Sequence, residues 1–270
     1  VISICPTYQQ HYSIPESYGA EVEILWLKPE NNFLPDLIEL KSMLRSNTKL
    51  IVLNNPNNPT GALMMDEYLN NFIDVIAPSG AYVLCDEVYR GTNQEGTGFA
   101  PAMADIYDKG ISVSSMSKVF SLAGIRLGWI AGPREVLESV MIRRDYNTIS
   151  VGMIDDYFAS LALENKEKII ERSQNITRGN LKVLDEWVLN EPSITYIKPK
   201  SGTTALLRYD LDMTSRDLCI QLLQNTGVMF TPGSVMEMEG WLRIGYANNP
   251  QVLSSGLKLV GEFLSELRKR

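Results

Sequence analysis

Six short runs rich in apolar and β-branched residues, at 1–5, 21–27, 49–53, 81–86, 111–115 and 128–131, are separated by segments long enough to cross back over a sheet. Strands that alternate with helical patterns specify a parallel sheet with helices on its faces. One crossover is explicit in the pattern. Leu69, Phe72, Ile73 and Ile76 fall at i, i+3, i+4 and i+7, which predicts an amphipathic helix between the runs at 49–53 and 81–86, with Asp66 as its cap and Pro78 and Gly80 closing it.

The pattern changes after 153. Residues 153–191 read as helical for longer than an ordinary globular helix, with a break near Asn165 and a charged second half. Beyond Pro192 the periodicity predicts strands at 194–199, 203–209 and 241–246, a helix at 215–226 and a terminal amphipathic helix from Gln251. The expected fold is therefore α/β, a mostly parallel sheet sandwiched by helices over residues 1–165, followed by a helical connector and a smaller C-terminal α+β domain over 166–270.

A chain of 270 residues with 44% hydrophobic content can bury a sizeable core. Its formal net charge of −7 argues against nucleic acid or an anionic membrane as partner. Three scattered cysteines without a CxxC pair indicate neither a disulfide framework nor a metal site, and a reducing cytoplasm is the expected location. No run has the length of a membrane span and no signal-peptide order is visible. VISICP at the start is strand-like and lacks an initiator methionine, so the chain is expected to begin partway through its fold.

In parallel sheets, chemistry collects at the carboxyl ends of strands. Three such loops stand out. NNPNNPTG, 54–61, uses two prolines to push the preceding asparagines out of helical geometry and hold Asn58. DEVYR places Asp86 at a strand end with Tyr89 three residues on, and SMSK, 115–118, is followed by Gly124-Ile125-Arg126. An amine able to form a Schiff base, hydroxyls and an arginine suited to a phosphate, a carboxylate, a phenol and a fixed amide together describe a pyridoxal phosphate pocket, with no metal required.

PTY (6–8), NNPNNPTG, DEVY, SMSKVFSLAGIRLG and WLRIGYA occur in the order and at the spacings of the class I/II aminotransferases, the fold type I pyridoxal-phosphate enzymes, which the chain resembles over nearly its whole length. The segment around Lys118 is the most specific of these matches. The resemblance implies a pyridoxal 5′-phosphate-dependent aminotransferase that moves an amino group from an amino acid to a 2-oxo acid by a ping-pong route, acting as a homodimer. It implies that residues 1–165 are the cofactor-binding domain, that Lys118 forms the Schiff base and moves the proton at the substrate Cα, and that nearby positive charge keeps its amine partly neutral. Asp86 would pair with the ring nitrogen, and Tyr89 and Asn58 with the ring's phenolic oxygen. Ser115, Ser117 and Arg126 would anchor the phosphate, Tyr8 would stack on the ring, and Arg243, with Asn58, would receive the substrate's α-carboxylate. Some members carry a histidine behind the ring-binding carboxylate, at the place of His11.

Taken singly, each residue has a plainer reading. Asp86 could cap a helix, Tyr89 pack, Asn58 turn, Arg126 face solvent, Arg243 join an ion pair and His11 lie on the surface. Lys118 is set apart because a lysine in so apolar a stretch is costly without a role. Ser115-x-x-Lys118, Ser173-x-Asn175 and Lys200-Ser201-Gly202 also spell a penicillin-recognising serine hydrolase, but that chemistry needs its serine at a helix start and 111–115 reads as strand. Two further alternatives share the scaffold: a carbon–sulfur β-lyase, and a non-catalytic regulator bearing an aminotransferase-like domain. The family carries roughly a hundred residues ahead of PTY, including a phosphate-cradling turn, so this segment by itself is expected to bind cofactor weakly.

Overall fold

The computed structural model describes residues 1–269. Its first sheet has six strands, β1 (Ile2–Cys5), β2 (Glu23–Trp26), β3 (Leu50–Asn54), β4 (Tyr82–Asp86), β5 (Gly110–Ser115) and β6 (Gly128–Ala131), one in each predicted run. They lie in the order β2-β1-β3-β4-β5-β6, all parallel except β6, which returns antiparallel along β5. The sheet is thus mostly parallel, as its patterning requires. The four residues of β1 are all buried, as are all but the first of β3, which is why these runs are continuously apolar rather than alternating.

Short helices α1 (Gln10–Ser17) and α2 (Leu37–Met43), then α3 (Asp66–Ile76) and α4 (Met103–Ile106), connect the first five strands, and α5 (Arg134–Arg144) follows β6. Leu69, Phe72 and Ile76 of α3 are fully buried against Ile51, Leu53 and Val83, each such side chain contributing about 1.5–3 kcal/mol of burial. Asp66 is not the cap of this helix. It is the first helical residue, Met65 holds the cap position, and no side chain bonds the free amides there.

The long helical stretch divides at Asn165 into α6 (Met153–Glu164) and α7 (Lys166–Asn190). Ile170 of α7 packs with Met116, Val119 and Phe120 beside the first sheet, while Leu181, Leu184 and Val188 enter the core of a second sheet. That sheet is antiparallel, in the order β7-β8-β10-β9, built from β7 (Ile194–Tyr196), β8 (Thr204–Tyr209), β9 (Thr231–Pro232) and β10 (Trp241–Gly245). Helices α8 (Ser215–Thr226) and α9 (Pro250–Leu267) cover it, and Thr214 and Asn249 cap them through side-chain oxygens. Among the described residues no helix is long and apolar enough to cross a membrane.

Candidate active site

β1, β3, β4 and β5 run parallel, so Cys5, Asn54, Asp86 and Ser115 end at one edge of the sheet, with Asn54 opposite Asp86 in the register. The loops that follow carry the predicted groups. Asp86 is largely buried, and its two carboxylate oxygens are held separately. One accepts the Val88 amide at 3.1 Å, and the other lies 3.4 Å from Nε2 of His11. His11 is buried in α1 rather than on the surface, with its Nδ1 2.9 Å from the Thr7 hydroxyl. The tyrosine preceding that helix, Tyr8, is about half exposed, and its ring lies nearly perpendicular to that of His11.

Asn54 links the acid to the next loop. Its Nδ2 donates to the Asp86 carbonyl at 2.7 Å and its Oδ1 accepts the Asn58 amide at 2.7 Å. Asn58 Oδ1 in turn accepts from the Arg243 guanidinium at 3.3 Å, and a second guanidinium nitrogen reaches the Thr231 hydroxyl at 3.2 Å. Arg243 faces no carboxylate; its partners among the described residues are neutral oxygens. The loop that carries Asn58 is closed by Gly61 in a left-handed conformation, φ +73°, packed against Pro199 and Ser201 of the second sheet's approach.

Tyr89 lies between these groups. Burial pushes its phenol up, while hydrogen bonding to Thr203 and the charge of Arg243 pull it down; Asp86 and Tyr8 are close enough to add to the upward push. The Lys118 ammonium stands 5.9 Å from the centre of the Tyr89 ring. Lys118 itself is solvent-exposed, so the cost of an apolar setting does not apply to it: the hydrophobic neighbours in sequence, Met116, Val119 and Phe120, turn inward and leave the lysine outside. Ser115 Oγ accepts the Ser117 amide at 3.2 Å.

Arg126 precedes by two residues the Gly128 that pairs with Ser115, and the amide of Met116 bonds the carbonyl of its neighbour Leu127 at 3.0 Å. Arg126 is exposed, has φ +50°, and donates to the Ala123 carbonyl at 2.7 Å rather than reaching Ser115 or Ser117. The hydrolase-like pattern lacks the local structure its chemistry needs: Ser115 ends a strand, and Ser173 lies inside α7 with its hydroxyl spent on the Val119 carbonyl. Thr7, Asn54 and Thr231 position the site without having been singled out in the sequence. The i, i+4 spacing of Thr7 and His11 and the strand-end place of Asn54 are the only local signals for them.

The chain matches the family model for aminotransferase class I and II over residues 1–255. It is 30% identical over 265 residues to capreomycidine synthase of Streptomyces vinaceus, covering 98% of this chain and 68% of that protein. It is 28% identical over 260 residues to an aspartate aminotransferase of Pyrococcus horikoshii, covering 92% of this chain and 66% of that protein. The fold superposes on a PLP-dependent aminotransferase from Streptococcus suis with a TM-score of 0.95 and 42% identity, over 98% of this chain and 70% of that one. The chain thus spans about two thirds of the length of the relatives it matches.

Proposed function

The chain belongs to the class I and II aminotransferases, and from that premise we propose that its protein transfers an amino group from an amino acid to a 2-oxo acid, in two half-reactions, in the cytoplasm. The cofactor that membership implies is pyridoxal 5′-phosphate. The donor set fits it: a carboxylate, a phenol, an amide and an amine meet at one sheet edge, with two serine hydroxyls at the start of the lysine loop.

Bound there, the cofactor supplies an electron sink for the pair left when a substrate Cα loses its proton. Asp86, held by Val88 and backed by His11, would keep a proton on the ring nitrogen. Tyr89 and Asn58 would orient the ring through its oxygen, Tyr8 would cover its face, and Ser115 and Ser117 would take the phosphate. Arg126 belongs to the phosphate set on the resemblance alone, since its guanidinium is turned to Ala123. The Lys118 amine would carry the cofactor and then move the proton at Cα. Arg243, oriented by Asn58 and Thr231 and lacking a carboxylate partner, would fork onto the substrate's α-carboxylate.

The observation that carries this reading is the polar path from His11 to the Asp86 carboxylate and, from the Asp86 carbonyl, through Asn54 and Asn58 to Arg243, which supports an acid for the ring nitrogen and a cation for the substrate carboxylate in one site. Exposed apolar side chains along α5, α6 and the segment between them, among them Met141, Ile142, Tyr146, Met153, Ile154 and Tyr157, support the homodimer. Borohydride reduction of the full-length, cofactor-loaded protein tests the assignment: the label belongs on the peptide containing Lys118, and its appearance elsewhere refutes the site. Nitrogen retained on the cofactor after an amino acid is added supports transamination, whereas ammonia and pyruvate release identifies a lyase.

A further inference from the structure

The loop after β4 meets the approach to β8 at the hydroxyl of Thr92, which is buried together with Ser201 and Gly202. Thr92 Oγ1 donates to the Tyr89 carbonyl at 2.6 Å, accepts the Gly202 amide at 2.8 Å and lies 3.1 Å from the Ser201 hydroxyl. A hydroxyl has one proton and two lone pairs. With its proton committed to Tyr89, Thr92 receives the third bond from Ser201, and every bonding position of this side chain is filled.

The Gly202 peptide is held at both ends. Its amide goes to Thr92, and its carbonyl accepts from the Tyr246 hydroxyl at 2.8 Å and from Gln94 Nε2 at 3.2 Å. Gly202 has φ +88°, and the place of a Cβ on it lies 4.0 Å from Cδ1 of Tyr89, so this peptide packs along that ring. The next residue, Thr203, hydrogen-bonds the Tyr89 phenol; burial raises the phenol's pKa, and this bond acts in the opposite sense. A bond that lowers a phenol's pKa is one its oxygen accepts, which leaves the Tyr89 proton for another acceptor. Thr92 therefore grips Tyr89 twice, directly at its main chain and, by way of Gly202 and Thr203, at its side chain.

We propose that Thr92 is a positioning residue for the amino transfer: its hydroxyl sets where the Tyr89 phenol stands, and so how well that phenol donates to the ring oxygen of the cofactor. The proposal rests on the role given to Tyr89 above. Shape alone does not serve at this position. Thr92→Val keeps the volume but leaves the Gly202 amide without its acceptor, and the Tyr89 carbonyl with only the Thr92 main-chain amide, at 3.1 Å. A buried amide that has lost its partner is costly, so the 201–203 segment shifts to satisfy it and the phenol shifts with Thr203. A donor on the ring oxygen stabilises negative charge there and lowers the proton affinity of the Lys118 nitrogen once it carries the ring. A displaced phenol raises it.

The test uses the full-length, cofactor-loaded protein and reads the pH midpoint of the cofactor's absorbance change beside the midpoint of denaturant unfolding. Tyr89→Phe is expected to raise the pH midpoint by about one unit, the effect of one hydrogen bond. Thr92→Val should raise it by about half a unit, Thr92→Ser should restore the parent value, and Thr92→Val should add nothing in the Tyr89→Phe background. A lower unfolding midpoint in Thr92→Val with the pH midpoint unmoved confines Thr92 to stability and overturns the proposal, as does an additive shift in the double variant. An unmoved pH midpoint in Tyr89→Phe refutes the role of Tyr89 and the proposal with it, whereas a shift in Tyr89→Phe that Thr92→Val does not share refutes the proposal alone. Should Thr92→Val fail to fold, Ser201→Ala removes one of the three partners and keeps the threonine: a smaller rise that disappears in Tyr89→Phe supports the positioning role, and an unmoved pH midpoint overturns it.

Discussion

Nε2 of His11 lies 3.4 Å from the Asp86 carboxylate, while the opposite ring nitrogen is 2.9 Å from Thr7 Oγ1. The imidazole is buried between a hydroxyl and an acid, an arrangement that fixes its ring plane and, through it, the Asp86 oxygen that Val88 does not hold. His11→Ala should weaken cofactor binding and lower kcat/KM by roughly three- to tenfold, the effect of one net hydrogen bond in an otherwise intact site. His11→Asn, which restores a donor near Asp86, should recover part of the loss. Equal cofactor affinity in all three proteins, measured by titration of the apoenzyme, would remove His11 from the site.

Arg243 is placed by two neutral oxygens, one from Asn58 and one from Thr231, which leaves its charge for a ligand. A lysine in that position keeps the charge but not the planar fork. Arg243→Lys is therefore expected to reduce kcat/KM for amino acids by about a hundredfold while leaving cofactor absorbance unchanged. An amine substrate without an α-carboxylate should show no such penalty, and a uniform loss for both substrates would reassign the residue to structure.

Most of the strands were legible because each is a run of apolar residues, buried in β1 and β3 though largely exposed in β6; β9, Thr231–Pro232, is too short to leave such a run. The division at Asn165 was legible for a similar reason, since α6 and the second half of α7 bury different faces. Helices α1, α2 and α5 were not, for local reasons: α1 contains Pro15, α2 has seven residues, and α5 buries none of its side chains, so no stripe of apolar positions marks them. In the site, Asp86 and Asn58 were visible as strand-end motifs. The depth of His11 was not, because it comes from tertiary approach of α1 to β4. The exposure of Lys118 also ran against its sequence context: apolar neighbours along a loop say nothing about which side of the loop a given residue takes.

Gly61 couples the Asn58 loop to the second sheet. A Cβ there would stand 2.5 Å from that of Pro199 and 3.0 Å from the Ser201 carbonyl, and φ +73° disfavours any side chain. The carbonyl of Gly61 also accepts the amides of Lys200 at 2.9 Å and Ser201 at 3.0 Å, so neither partner can withdraw freely. Gly61→Ala should cost about 1–3 kcal/mol of stability and displace Asn58 from Arg243. Denaturant unfolding together with KM for the amino donor would check both effects; an unchanged midpoint would show that the loop adapts.

Two carboxyls should carry opposite pH signatures. Glu87 is buried, accepting from the Met103 amide at 2.8 Å and the Ser112 hydroxyl at 2.6 Å, and burial raises its pKa despite these bonds. A raised folded-state value means that the folded protein holds this proton more tightly than the unfolded chain. Its contribution is therefore fully present below the unfolded pKa and is lost as pH rises through the folded value. Glu239 behaves in the reverse sense: the Ser215 amide, and then the Ser215 and Tyr209 hydroxyls, lower its pKa. Its stabilisation is present above the unfolded pKa and disappears as pH falls through the folded one. Glu87→Gln keeps an oxygen for both accepted bonds and carries no charge, so it should raise Tm relative to the parent at neutral pH and converge with it in acid. Glu239→Gln should lower Tm at neutral pH and likewise converge in acid. Melting curves of the three proteins across that range decide the matter, and parallel pH dependences for both variants would show that neither carboxyl titrates differently on folding.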